Sequence, residues 1–239
     1  MCIQQLLNQT VGGAFGNIQT VLDIPKSSTY SLIQELLDAH YLLFNNDSKK
    51  YYAGSAYIAL CSSCIQNTDL LEELSILTSS LGQELNLTTH AGILDHLNVI
   101  YLAHYENNSN ISLMHNLGQR IPAHCTALGK MLLSQFSNET LLQMYENYSL
   151  EKLTEKSIDN TETLLCDLKL TRERGYAMEI CEASPYTACI SLPLLKNGEL
   201  IAAFSITMPL HFFETCDTSI LIATMTKYKQ ITEQRLFSF

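Results

Sequence analysis

The chain has 239 residues, 46% of them hydrophobic and 16% charged, with a formal net charge of -10. That is enough apolar material for a core in one large domain or two unequal ones, while the acidity argues against a general polyanion binder, whose attraction to phosphate comes from summed positive charge. The longest apolar runs, such as LIAAFSI at 200–206, are strand-sized and well short of the roughly 18 residues of a membrane span, so no membrane partner is expected.

The chain opens on CIQQLLNQ, with Ile3, Leu6 and Leu7 at helical spacing. Polar residues interrupt this stretch and no Lys or Arg precedes Lys26, unlike the positive head of a secretory signal, so the cytoplasm is the expected compartment. TVGGAFG breaks the first helix, and NIQTVLDIP predicts a short second one that stops before Pro25. A longer helix follows from Lys26 to Ala39, where Leu32, Ile33, Leu36 and Leu37 make an apolar stripe and Ser27, Ser28, Tyr30, Ser31 and Gln34 fall elsewhere. YLLF, the turn NNDSKK and YYAG then read as a hairpin whose loop carries Lys49 and Lys50.

Helix, short helix, helix and basic-tipped hairpin is the order of a winged helix-turn-helix, here over residues 1–54. In that motif the last helix enters the major groove of DNA and the wing touches backbone. Small hydroxyl side chains at the helix start allow close approach of phosphate, which the N-terminal N–H groups and Lys26 favour. Within residues 1–60 three lysines face four carboxylates, so nearly all of the negative charge belongs to the rest of the chain.

Residues 55–68 predict a connecting helix that contains Cys61 and Cys64 in a CxxC. No second CxxC or His pair stands at zinc spacing, and the eight cysteines are irregularly placed, so reduced thiols are expected and no metal or cofactor. DLLEELSILTSSLGQEL (69–85) predicts an amphipathic helix that opens a second domain, 69–239. LTTHAGIL, NVIYLAHY and NISLMH read as a strand meander, followed by helices near 126–136, 138–148 and 162–174. YAMEI, CISLPLL and LIAAFSIT predict three more strands, the last two joined by the Asn197-Gly198 turn, before a terminal helix near 218–236. The fold class is therefore α+β, with a mostly antiparallel sheet flanked by helices.

Within this domain, LGQRIPAHCTALGKMLL (117–133) is the most distinctive segment. His124 and Cys125 ahead of a helix raise the idea of an activated thiol. Sequence neighbours rarely share catalytic geometry, and neither an oxyanion loop nor a third orienting residue stands out, so a Cys-dependent enzyme ranks last among three readings. A binding reading asks for less: Thr126 caps the helix and the following backbone N–H groups receive a carboxylate or phosphate. Cys189, Ser205 and Thr207 add small polar groups from two strands, with Ser205 and Thr207 on the same face of the sheet. Ordinary core packing with satisfied hydroxyls explains the same spacing equally well.

Over nearly its full length the chain resembles the IclR family of bacterial transcriptional regulators. The resemblance rests on LDIPKSSTYSLIQELLDAHYL with KKYYAGSAY, on the run from Gly118 to Lys130, on LKLTRERGYAMEICEAS and on ACISLPLLKNGELIAAFSITMP. It implies a winged helix-turn-helix domain, a linker helix and a GAF/PAS-like effector domain. It further implies a repressor that binds operator DNA as a dimer or dimer of dimers, released or tightened by a small organic acid. The DNA-contacting positions would be Lys26, Ser27, Ser28, Tyr30, Ser31 and Gln34, with Lys49 and Lys50 on the wing. The effector pocket would hold Leu113, Ala127, Leu128, Glu179, Cys189, Ser205 and Thr207, with Glu179 accepting a hydrogen bond from an effector hydroxyl. Three departures from the family pattern stand out: Ser31 where an Arg is usual, His40 where a Gly closes the recognition helix, and Pro185-Tyr186 where a Gly is common. The loss of the Arg leaves a second reading open, a metabolite-sensing oligomer whose DNA contacts have weakened or been lost.

Overall fold

A computed structural model describes residues 13–57, 68–106 and 118–237. The chain divides into two compact units, Met1–Thr68 and Asp69–Phe239. The expected CIQQLLNQ helix, most of the 55–68 helix with Cys61 and Cys64, the NISLMH strand and Leu113 lie outside the described residues.

In the first unit, α1 (Phe15–Leu22) and α2 (Lys26–Asp38) are joined by a three-residue turn. Asp23 takes the left-handed conformation that stops α1, at φ 49°, and Pro25, which lacks an N–H and fixes its own φ, stands at the N-cap of α2. Ile18 of α1 and Thr29 and Ile33 of α2 are buried, which fixes the rotation of α2 and leaves Lys26, Ser27, Ser28, Tyr30 and Ser31 exposed. Strands β1 (Leu42–Asn45) and β2 (Lys50–Ala53) form the expected hairpin, in register from Leu42↔Ala53 to Asn45↔Lys50. Asn45 Oδ1 accepts the amides of Asp47 and Ser48 at 2.9 and 3.0 Å, so the turn is held by a side chain and carries Lys49 at its exposed end.

The second unit opens on α3 (Thr68–Leu85) and contains β3 (Thr88–Asp95), β4 (Asn98–Tyr105), β5 (Arg120–Pro122), a 3₁₀ turn (Ala123–Cys125), α4 (Ala127–Leu133), α5 (Asn138–Tyr145) and α6 (Thr161–Arg174). It continues through β6 (Ala177–Ile180), β7 (Thr187–Lys196), β8 (Glu199–Pro209), α7 (Leu210–Phe213) and α8 (Thr218–Phe237). Six strands form one antiparallel sheet in the order β5-β4-β3-β8-β7-β6. The β7–β8 hairpin closes on Asn197 and Gly198, both at positive φ, as a two-residue turn matched to strand twist requires. Two of the helices end earlier than their periodicity suggests, at Leu133 and Tyr145.

Strand alternation divides the sheet chemically. Ala188, Ile190, Leu192, Phe204, Ile206 and Met208 face one core with Leu74, Leu77 and Leu81 of α3 and Leu221 and Met225 of α8. Each such side chain contributes about 1.5–3 kcal/mol on leaving water. Arg235 with Glu73 at 3.4 Å, and Lys227 and Tyr228 with Glu84 at 3.2 and 2.6 Å, tie α8 antiparallel to α3. The other core holds Leu128, Leu132, Leu133, Leu141, Leu164 and Leu168 from α4, α5 and α6 against Val99, Tyr101 and Ala203. The intervening positions of β7 and β8, Cys189, Ser205 and Thr207, are the polar ones, and they line a cavity beneath the start of α4.

Candidate functional site

The site is built from one row across the sheet. Register pairs Glu179 with Cys189, Cys189 with Thr207, and Thr207 with Thr88, and the neighbouring row pairs Ser191 and His90 with Ser205. Over these rows sits α4. Thr126 Oγ1 accepts the amide of Gly129 at 2.9 Å, as its position before the helix suggested, while Ala127 and Leu128 begin the helix, where N–H groups have no intrahelical acceptor. A Cβ on Gly129 would collide with the backbone of Ala123, so only glycine lets the helix start lie this close to the 3₁₀ turn.

His90, Tyr101, Thr126, Ala127, Leu128, Glu179, Ala183, Thr187, Cys189, Ser205 and Thr207 enclose a small space of about 20 Å³. Six of the residues named from sequence, Ala127, Leu128, Glu179, Cys189, Ser205 and Thr207, therefore converge on one cavity; the seventh, Leu113, lies outside the described residues. Sequence reading missed His90, Tyr101, Ala183 and Thr187 as wall residues. The alternation of β3 gives no signal for His90, which follows two threonines, and only the register with Ser205 brings it here.

The polar groups have defined partners. The Cys189 thiol and Thr207 hydroxyl stand 3.3 Å apart. Glu179 Oε1 accepts the amides of Glu182 and Ala183, the latter at 3.0 Å. Its Oε2 is buried without an oxygen or nitrogen partner among the described residues, with the Cys189 thiol beside the carboxyl. Thr187 Oγ1 is also buried, with no hydrogen-bond partner among the described residues. Burial raises the Glu179 carboxyl above its ordinary range against those two amides, and pushes the Cys189 thiol well above its own. Among the described residues no Lys or Arg lines this cavity, so a guest meets hydrogen-bonding groups and one uneasy carboxyl rather than a cation.

The surrounding space holds about one water molecule. A metabolite enters only if the wall moves. The connection from Cys181 to Tyr186 contributes Ala183 to the wall, with Cys181 at φ 61°; the Thr154 and Ser157 hydroxyls hold the Cys181 and Glu182 carbonyls at 2.6 and 2.7 Å, while Tyr186 is exposed.

His124 and Cys125 are both completely buried. Both engage one backbone acceptor: His124 Nε2 lies 2.9 Å from the Glu151 carbonyl and the Cys125 thiol donates to that same carbonyl at 3.4 Å. Burial lowers the imidazole and raises the thiol, the opposite of an activated pair. Among the described residues no cluster of three His, Cys, Asp or Glu side chains could hold a metal, and no helix is long and apolar enough to cross a membrane.

On the first unit, Lys26, Ser27, Ser28, Tyr30 and Ser31 share the exposed side of α2, with Gln34 half-buried beyond them. The Ser31 hydroxyl bonds back to the Ser27 carbonyl at 3.2 Å. Lys49 is exposed on the hairpin turn and Lys50 is half-buried at the start of β2.

Comparison with known proteins places this architecture. A model described as "Bacterial transcriptional regulator IclR C-terminal" matches residues 62–230. The HTH-type transcriptional regulator KdgR of Escherichia coli K12 is 30% identical over 185 residues, covering 77% of this chain and 70% of that protein. KdgR of Dickeya chrysanthemi is 28% identical over 211 residues, 87% of this chain and 69% of its own length. The crystal structure of an IclR homolog from Microbacterium hydrocarbonoxydans complexed with 4-hydroxybenzoate superposes with a TM-score of 0.87, covering 98% of this chain and 95% of the other at 18% identity.

Proposed function

The chain belongs to the IclR family of bacterial transcriptional regulators, and from that premise we propose that it is an effector-controlled repressor that reads operator DNA with α2 and the β1–β2 wing. In this reading Ser27, Ser28, Tyr30, Ser31 and Gln34 meet the major groove, and Lys26, Lys49 and Lys50 meet phosphate. Two or four copies on one operator multiply these few positive charges, which is how a weakly basic module reaches useful affinity. The regulator works in the cytoplasm as a dimer or dimer of dimers.

The effector is a small organic acid held by Ala127, Leu128, Glu179, Cys189, Ser205 and Thr207, with Leu113 a further pocket position implied by the family. The observation that carries this reading is the convergence of small polar groups from β7 and β8, with Glu179 of β6, beneath the amides that open α4. No cation lines that cavity among the described residues, so the acid's carboxylate is received by N–H and O–H donors. The raised Glu179 carboxyl tolerates it by carrying a proton or by accepting from an effector hydroxyl. A relative of the same fold is complexed with 4-hydroxybenzoate, a small acid with one hydroxyl.

A melting-temperature screen of small organic acids that includes 4-hydroxybenzoate tests the pocket, since a ligand that binds only the folded state raises the midpoint. The reading expects at least one acid whose shift is lost in Thr207→Val; an acid whose shift survives that change sits elsewhere. The alternative, a metabolite-sensing oligomer without DNA reading, is favoured by one observation, that the Ser31 hydroxyl turns back onto its own helix. It predicts operator binding indifferent to Lys26→Ala and Ser28→Ala.

A further inference from the structure

Strand β6 separates two cavities. Its alternation sends Glu179 into the one described above and Met178 and Ile180 to the opposite side. There, between β6, α6, the loop carrying Lys156 and Ile158, and the buried end of Lys130, lies a second cavity of about 420 Å³, inside the range of metabolite sites. None of its lining residues belongs to the first. On α6 the lining falls at Thr163, Cys166, Asp167, Leu170 and Arg174, one continuous helical stripe.

The charges of this cavity do not balance. Lys130, 1% exposed, lies 2.7 Å from Asp167 Oδ2 and 2.6 Å from Glu182 Oε1, so one buried ammonium takes up both carboxylates. Lys156 is left over and Arg174 is loosely held: its Nη2 reaches Asp167 Oδ1 only at 3.9 Å, its Nε donates to the Tyr176 carbonyl at 2.6 Å, and its guanidinium carbon stands 5.0 Å from the centre of the Tyr176 ring. Among the described residues no carboxylate stands within ion-pair distance of Lys156, which is exposed at the rim. Ile158, Leu170, Met178 and Ile180 supply apolar wall.

We propose that this second cavity is an accessory binding site for a small monocarboxylic acid with an aliphatic body, its carboxylate on Lys156 and Arg174 and its body against Ile158, Leu170, Met178 and Ile180. With both carboxyls ionised the lining carries three cations against two carboxylates, an excess that the ligand's single negative charge matches. A planar carboxylate also suits the part of the Arg174 guanidinium that lines the cavity. The site is independent of whether the first cavity holds an effector, but the two are not isolated. Glu182, bound to Lys130 through its side chain, donates its amide to Glu179, so an acid that shifts the second cavity's floor moves the wall of the first.

Isothermal titration of the full chain with 4-methylpentanoate tests this, with the uncharged 4-methylpentanamide and the cationic 4-methylpentylamine as matched probes. The acid is expected to bind, and the amide and amine to bind at least about tenfold more weakly. Lys156→Ala, at an exposed position, should weaken the acid about tenfold, and Leu170→Trp, at a half-exposed position, should block it, each with an unchanged melting midpoint. Thr207→Val, in the other cavity, should leave acid binding intact. Absence of a binding heat from wild-type protein, equal binding of amide and acid, or binding lost in Thr207→Val but kept in Leu170→Trp would each overturn the proposal.

Discussion

Lys130 Nζ and Glu182 Oε1 meet 2.6 Å apart beneath the surface of the effector-binding unit. The ammonium also holds Asp167, and the three groups join α4, α6 and the connection after β6. A buried ion pair adds little over a hydrophobic replacement of the whole set, but removing one partner leaves charge uncompensated, at a cost of about 3–5 kcal/mol. Lys130→Met is therefore expected to lower stability by about that amount in urea melts at pH 8. The loss should shrink at pH 5, where the stranded carboxyls take up protons.

The same cluster sets a pH dependence. Burial raises the Glu182 carboxyl to about 7 against the pull of Lys130, with Glu179 and Asp167 adding repulsion. A carboxyl whose folded value lies above its unfolded value binds its proton more tightly when folded. Its contribution to stability is thus present at low pH and is lost as pH rises from about 4 to about 7. Glu179 acts in the same direction. Stability of the wild-type unit should fall across this window by up to about 3 kcal/mol from Glu182, and Glu182→Gln should flatten the slope in chemical melts at matched ionic strength.

His40 holds φ at 58°, where its Cβ crowds the chain, and its amide and that of Tyr41 close α2 on the Leu37 and Leu36 carbonyls at 3.0 and 2.8 Å. The position calls for glycine, the residue whose absence the family resemblance had marked. His40→Gly should stabilise the first unit by about 1 kcal/mol, since the relieved strain exceeds the added unfolded-state entropy. A lowered melting midpoint for the variant would show that the His40 side chain contributes more than its backbone costs.

Ser31 stands on the exposed side of α2 with its hydroxyl engaged by Ser27. Ser31→Arg is expected to tighten operator binding about tenfold, and to steepen its salt dependence by roughly one counterion if the new side chain meets phosphate. Fluorescence anisotropy over a salt series measures both.

Local chemistry made the regular elements legible. The Asn197-Gly198 hairpin, the polar Ser205 and Thr207 at alternate positions of β8, and the Thr126 cap each follow from neighbours in the chain. Strand β5 did not, because three residues, Arg120–Pro122, carry no period and exist as a strand only through pairing with Asn98, Val99 and Ile100. The 3₁₀ turn at Ala123–Cys125 and the short α7 are hidden for the same reason of length. In the site, Cys189, Ser205 and Thr207 were reachable from strand alternation, and Ala127, Leu128 and Glu179 from the family motif. His90 and Tyr101 needed the register of β3 with β8 and of β4 with β3, a non-local fact. The Lys130 cluster was unreadable in advance, since a lysine in an apolar helix reads as solvent-exposed until α6 and Glu182 are seen to enclose it.

The most direct test of the account is a titration of the full chain, by fluorescence anisotropy at low salt, against the promoter fragment beside its own gene and an unrelated fragment. Specific binding is expected that Lys26→Ala and Ser28→Ala weaken and that an acid found in the melting screen alters. Equal affinity for both fragments, or specific binding that neither substitution changes, would contradict the assignment of α2 as the reader of DNA.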